Sequence, residues 1–102
     1  MDIAAICNAL GNETRYRLIK AMREQTIATC CDRIEFFENG VSVGDAVKFI
    51  GLAQSTVSRH LSVLESAGLI RKERRELWSC YFLNKPVLEE FLKEINKELA
   101  PQ

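Results

Sequence analysis

The sequence predicts a mainly α fold with a small β-hairpin: a winged helix-turn-helix with a dimerisation helix flanking it at each end. Three observations carry that expectation. Two helical runs meet at a tight turn beginning at Gly51. Past Gly68 the hydrophobic period switches from that of a helix to that of a strand. Beyond Pro86 a narrow apolar seam returns at helical spacing. The chain has 102 residues and no visible repeat or linker, which predicts one domain over 1–102. Within it the helix-turn-helix should span about 42–67, the wing about 69–83, and the flanking helices about 2–10 and 86–99.

Each element follows from local chemistry. Ile3, Ile6, Cys7 and Leu10 recur at helical spacing, and Gly11 ends the run. Asn12 predicts the N-cap of a second helix with Leu18, Ile19 and Met22 on one face. The segment 27–39 predicts a short helix by either of two patterns. Ile27, Cys30, Cys31, Ile34 and Phe37 follow the i, i+3, i+4, i+7 spacing, while Thr29 and Asp32 resemble a capping box that would start the helix at Cys30. A turn at Asn39-Gly40 follows. Ser42 and Asp45 form the next cap, ahead of a helix to about Ile50 with Val43, Ala46, Val47 and Ile50 inward. Gly51 stands just past its end, and after Gly51-Leu52-Ala53 a further helix runs from near Gln54 to about Ala67, closed by Gly68.

In the wing, Leu77, Ser79, Tyr81 and Leu83 alternate with Trp78, Cys80 and Phe82, a strand pattern. The charged Glu73-Arg74-Arg75-Glu76 predicts the hairpin tip, with the turn type open because Asn-Gly and Asp-Gly are absent. Pro86 fits the first turn of the last helix. There Leu88, Phe91, Leu92, Ile95 and Leu99 form a seam suited to a partner helix. A domain this small offers that seam few partners beyond the Ile3, Ile6 and Leu10 face, so a two-fold homodimer is expected.

Charge locates the functional surface. Basic and acidic residues balance at 14 each, which does not suggest a nonspecific nucleic-acid coat. Residues 53–85, however, carry 6 basic and 3 acidic side chains, against 6 and 7 in residues 1–52 and 2 and 4 in residues 86–102. The stretch Gln54-Ser55-Thr56-Val57-Ser58-Arg59-His60-Leu61 opens this segment. Turned at about 100° per residue, it puts Val57, Leu61 and Leu64 on a buried stripe. Ser55, Arg59, Ser62 and Ser66 face outward, Thr56 and Val63 flank them, and His60 falls at the edge. An ordinary solvated helix favours Glu and Lys outside, and this one has neither until Glu65. Short hydroxyls with one guanidinium fork suit a major groove, where side chains must be modest in size and rich in donors and acceptors. Gln54, Ser55, Thr56, Ser58, Arg59, His60 and Ser62 are therefore the candidate reading residues. Arg71, Lys72, Arg74 and Arg75 would reach the DNA backbone or minor groove from the wing.

Those residues also carry a resemblance. Leu10-Gly11-Asn12-Glu13-Thr14-Arg15-Tyr16-Arg17-Leu18-Ile19, Gln54 through Leu64, and Ala67-Gly68-Leu69-Ile70 resemble the arsenic-repressor (ArsR/SmtB) family of bacterial winged-helix repressors, over most of the chain. The resemblance implies a homodimer paired through first and last helices. It implies a two-fold double-stranded DNA operator and repression relieved by a metal, metalloid or redox signal. The sequence departs from the family in four places. Ala53 stands where the family often has a capping Ser, and the segment around 27–40 is longer. Ser42 and Gly44 align with the family's metal-binding CxC. The last helix has no His, which removes the family's carboxylate-histidine zinc site.

The remaining candidates for an effector site are Cys30, Cys31, Cys7 and Cys80. Soft thiolates suit trivalent arsenic, Cd, Pb, Cu(I) or Hg. Adjacent Cys30 and Cys31 could chelate one ion, with Cys7 or Cys80 completing the set, and a thiol-redox switch needs the same chemistry. The competing reading is packing, because all four lie among apolar residues and buried Cys behaves as a small hydrophobe. No required cofactor is expected. The start, MDIAAICNALGNE, lacks the features of a signal peptide and no stretch is long enough to span a membrane, so a cytoplasmic protein is expected, its four cysteines free thiols, ligands or redox groups rather than a disulfide framework. No nucleophile-base motif or phosphate loop is present and His60 is the single histidine, so enzymatic activity is not expected. The alternatives are a winged-helix regulator without metal response and a winged helix that binds protein.

Overall fold

The computed structural model describes residues 1–27, 40–75 and 78–101, with the backbone alone at Arg75 and Trp78. The elements run α1 (Ile3–Leu10), α2 (Glu13–Glu24), α3 (Val43–Ile50), α4 (Gln54–Ser66), β1 (Ile70–Arg75), β2 (Trp78–Leu83) and α5 (Lys85–Leu99). The helix expected within 27–39 and the Asn39 half of its turn lie outside the described residues. Among the described residues, no helix is long and apolar enough to cross a membrane.

Local signals set most boundaries. The Asn12 side chain accepts from the Thr14 and Arg15 backbone N–H groups, which starts α2. Ser42 and Asp45 form the reciprocal cap of α3: Asp45 N–H donates to Ser42 Oγ at 3.1 Å, and Ser42 N–H donates to Asp45 Oδ2 at 3.0 Å. Gly51 ends α3 at φ 79°, a left-handed conformation that a side chain would strain. The chain then turns through residues 51–53 and enters α4. Ala53 has the extended backbone of a cap but makes no side-chain bond to the helix.

The core forms where α2, α3 and α4 meet the base of the wing. Val57, Leu61 and Leu64 are all 0% exposed, as the helical projection predicts. They pack with Leu18 and Ile19 of α2, Ala46 of α3, and Leu69, Ile70, Tyr81 and Leu83 of the wing. Burial of this kind stabilises by about 1.5–3 kcal/mol for each large side chain. Val43, Val47 and Ile50 are half-buried against the cluster, so Ala46 is the deepest of the four residues expected inward on α3.

β1 and β2 pair antiparallel from Ile70↔Leu83 to Arg75↔Trp78. The tip was expected at Glu73 through Glu76, but Glu73, Arg74 and Arg75 belong to β1, and the register leaves residues 76 and 77 between the strands. The aromatic and aliphatic run of β2 favours an extended chain, and its ladder imposes strand geometry on the charged residues opposite. Val41 adds a bridge to Tyr81 through two backbone bonds of 2.8 Å, giving the wing a third edge. Gly40 permits this approach: a Cβ there would stand 2.7 Å from the Phe82 ring.

α5 starts with Pro86 in its first turn, as expected, and lies largely outside the core. Phe91 is its one buried residue, while Leu92 is 56% and Leu99 73% exposed. The molecule is correspondingly long, 48 × 29 × 21 Å. Two residues expected at the dimer seam are already covered within the chain. Ile6 and Phe91 are buried within the single chain, because both pack on its own core. The part of the seam that remains available comprises Leu92 and Leu99, with half-buried Ile3, Leu10, Leu88 and Ile95.

Candidate nucleic-acid interface

α4 presents the predicted outward surface. Gln54, Ser55, Thr56, Arg59, Ser62 and Ser66 are exposed, while Ser58 and His60 are half-buried at the edges. The buried stripe holds the helix by its opposite side, so the polar face is rigidly displayed. Its two ends differ in access. Arg59, Ser62, Val63, Ser66 and Ala67 line a shallow groove with Ala5 and Asn8 of α1, about 330 Å³ in volume. The C-terminal half of the face is therefore flanked by α1, and the half from Gln54 to Ser58 is open. That matches the way helix-turn-helix proteins read with the first residues of the second helix.

The wing, which packs on α4, supplies further cations. Arg71 and Lys72 each lie over the ring of the cross-strand partner. The Arg71 guanidinium is 4.9 Å from the Phe82 centroid, and the Lys72 ammonium is 5.9 Å from that of Tyr81. Arg74 is exposed two residues further out, and only the backbone of Arg75 is described. The stacked rings orient the two inner cations, which as neighbours on a strand project to opposite faces of the hairpin.

His60 is not simply aimed outward. Arg15 Nη1 donates to His60 Nδ1 at 3.2 Å, which requires the neutral tautomer with its proton on Nε2. Burial holds the imidazole below its ordinary pKa, and the charges of Arg15 and then Arg59 depress it further. What His60 can offer a nucleic acid is thus the single Nε2–H donor. Arg15 received no role in the sequence analysis. A signal was available: it occupies the first turn of α2, where a cation meets the unfavourable end of the helix dipole.

The cysteines divide into three groups. Cys7, expected on the apolar face of α1, is exposed and free, because Ile6 and Ala9 form the buried face of that helix. Cys80 is 1% exposed beside Phe82 and is disulfide-bonded, so it is not among the free thiols. In that state its sulfur is not a thiolate ligand. Cys30 and Cys31 lie outside the described residues. Among the described residues no three His, Cys, Asp or Glu side chains form a cluster able to hold a metal ion.

Comparison with known proteins agrees with this geometry. Residues 37–72 match the family model of bacterial regulatory proteins of the arsR family. The chain is 30% identical over 86 residues to the arsenical resistance operon repressor of Bacillus subtilis, covering 84% of this chain and 70% of that protein. It is 34% identical over 76 residues, or 74% of its length, to a Halobacterium salinarum relative assigned by name to an arsenical resistance operon, and spans 54% of that protein. The fold is that of solved structures with low identity. An ArsR-like transcriptional regulator from Rhodococcus superposes with a TM-score of 0.71 at 16% identity, over 93% of this chain and 76% of the other. A homodimeric winged helix-turn-helix DNA-binding domain from Mycobacterium bovis superposes at 0.67 and 19%, over 97% and 82%. The sequence matches and the winged helix-turn-helix together show that the chain belongs to the arsR family of bacterial regulatory proteins, which are DNA-binding transcriptional regulators and not enzymes.

Proposed function

We propose that this chain acts as a homodimeric repressor that reads a two-fold operator with α4 and grips its backbone with the wing. The observation that carries the reading is the α4 face itself. Side chains mostly of short reach are displayed on a helix whose other side is anchored by three fully buried residues, and the hairpin strand packed on that helix carries basic residues. Such a surface is costly to explain as an ordinary solvated face and well matched to a groove. Gln54, Ser55, Thr56, Ser58, Arg59 and Ser62 read base edges or orient on phosphates, while Arg71, Lys72, Arg74 and Arg75 contact the backbone. The exposed Leu92 and Leu99 support pairing through α5, and the Mycobacterium bovis neighbour is homodimeric.

The effector is a thiophilic metal or metalloid in this reading, bound by the fully reduced chain with Cys30 and Cys31 as its first ligands and Cys7 or Cys80 as a third. The Bacillus subtilis relative's name supports a metalloid, and thiolate chemistry suits one. One observation favours a second reading, a thiol-redox signal: the buried Cys80 is disulfide-bonded. Fluorescence anisotropy distinguishes them. Reduced protein is titrated onto a duplex that it has itself enriched from a random-sequence pool. Trivalent arsenic, Cd and then an oxidant are added, beside a Cys30→Ser/Cys31→Ser control. Release by arsenic or Cd from the wild type alone establishes the metalloid reading. Indifference to both ions with release on oxidation establishes the redox one. A protein that enriches no duplex is a protein-binding winged helix instead.

A further inference from the structure

Arg15 makes contacts that ordinary surface salt-bridging does not explain. Its backbone N–H is fixed by the Asn12 cap at the start of α2. Its side chain then turns back along the chain. Nε donates to the Ala9 carbonyl at 2.7 Å, and Nη2 donates to the Asn8 carbonyl at 3.4 Å. Both carbonyls lie in the last turn of α1, where a cation is favourable, and that of Asn8 also accepts from the Gly11 N–H. The third nitrogen, Nη1, donates to His60 Nδ1 in the middle of α4. One guanidinium thus joins the end of α1, the start of α2 and the helix that carries the reading face. Lysine has no fork able to hold three directions at once.

We propose that Arg15 is a positioning residue for DNA recognition, fastening α4 through His60 to the end of α1. The proposal rests on the DNA-binding reading above and adds to it a residue that touches no DNA. Its consequence is a fixed angle between the reading face and α1, the helix expected at the dimer contact. Two reading helices must enter successive grooves with a set separation, so a looser α4 costs affinity even with every contact residue intact. His60 serves as the acceptor on α4. The charges that act on its ring are cationic, Arg15 from α2 and Arg59 from α4 itself. Protonating His60 would turn an accepted hydrogen bond into two facing cations and release the fastening.

The test uses the full chain and the duplex enriched by the wild type, with affinity read by anisotropy from pH 5 to pH 8. Arg15→Gln and His60→Leu should each weaken binding about tenfold. The double variant should be little weaker than either single one, because both remove one interaction. His60→Gln, whose amide oxygen can accept the same N–H, should recover most of what His60→Leu loses. Wild-type affinity should fall as pH drops through the lowered folded pKa of His60, and the His60→Gln profile should lose that decline. If Arg15→Gln does not fold, the His60 pair and the pH profile carry the test. Additive losses in the double variant overturn the proposal, as does an Arg15→Gln protein that binds like the wild type. Binding that strengthens at low pH also overturns it, since that sign belongs to an imidazolium contacting phosphate. A wild type that enriches no duplex overturns the DNA-binding reading and this proposal together.

Discussion

Arg59 and His60 are adjacent on α4 but have different physical roles. Arg59 is exposed on the outward face, and its fork can reach guanine or a phosphate. Arg59→Ala should weaken binding to the preferred duplex by about 1–3 kcal/mol if it reads a base edge. Its thermal unfolding should be unchanged. A uniform loss across all duplexes would place Arg59 on the backbone instead. His60 ties the helix inward, and its titration has a definite sign. Its folded pKa lies below the ordinary 6.5, so the folded chain binds fewer protons than the unfolded one. The stability it contributes is whole above about pH 6.5 and declines as pH falls from there through the lowered folded value. The outward positions of Arg59 and Ser62 were legible because helical periodicity alone decides them. The engagement of His60 was not, since its partner lies 45 positions away in sequence on another helix.

At the scale of elements, the caps were the most legible features because they are local. Asn12, the Ser42-Asp45 pair and Gly51 each act within a few residues, and each stands where the sequence predicts. The wing was read less well. Glu73 to Arg75, expected at the tip, pair in β1 because pairing is decided by the partner strand, which a single-strand pattern does not contain. The fit of Gly40 against Phe82 was invisible for the same reason. α4 itself carries an element-level prediction. Ala53 has φ −61° and ψ 147°, suited to a capping residue, but no side-chain oxygen. Ala53→Ser should raise stability by about 0.5–1 kcal/mol, measured as a higher urea midpoint at unchanged slope. An unaltered midpoint would mean that the helix start is already satisfied by other means.

At the scale of the molecule, α5 is the element least explained by the single chain. Its buried contact is Phe91, while Leu92 and Leu99 stay in water. Leu92→Glu should leave the monomer folded and shift sedimentation from dimer to monomer. It should also cost on the order of a hundredfold in affinity for a two-fold duplex, because the second half-site no longer binds intramolecularly. A dimeric Leu92→Glu protein would place the interface elsewhere. The sequence seam was legible as a whole but not in its division. Periodicity places Ile6, Phe91, Leu92 and Leu99 on apolar helix faces, and cannot say which of them the chain buries against itself.

The two faces of β2 belong to different packing units. Tyr81 and Leu83 join the main core, whereas Cys80 and Phe82 form a small cluster of their own. The Cys80 disulfide ties down the second side, and once it is reduced the strand can lose that attachment without losing the first. The wing can therefore open locally while the helices stay folded, with a free energy below that of global unfolding. Arg71 rests on the Phe82 ring, so such an opening would release a wing cation from its fixed direction while the reading helix stays in place. Amide exchange would then be faster along the outer wing than in α4, and grip on the backbone would fluctuate on a timescale independent of base reading.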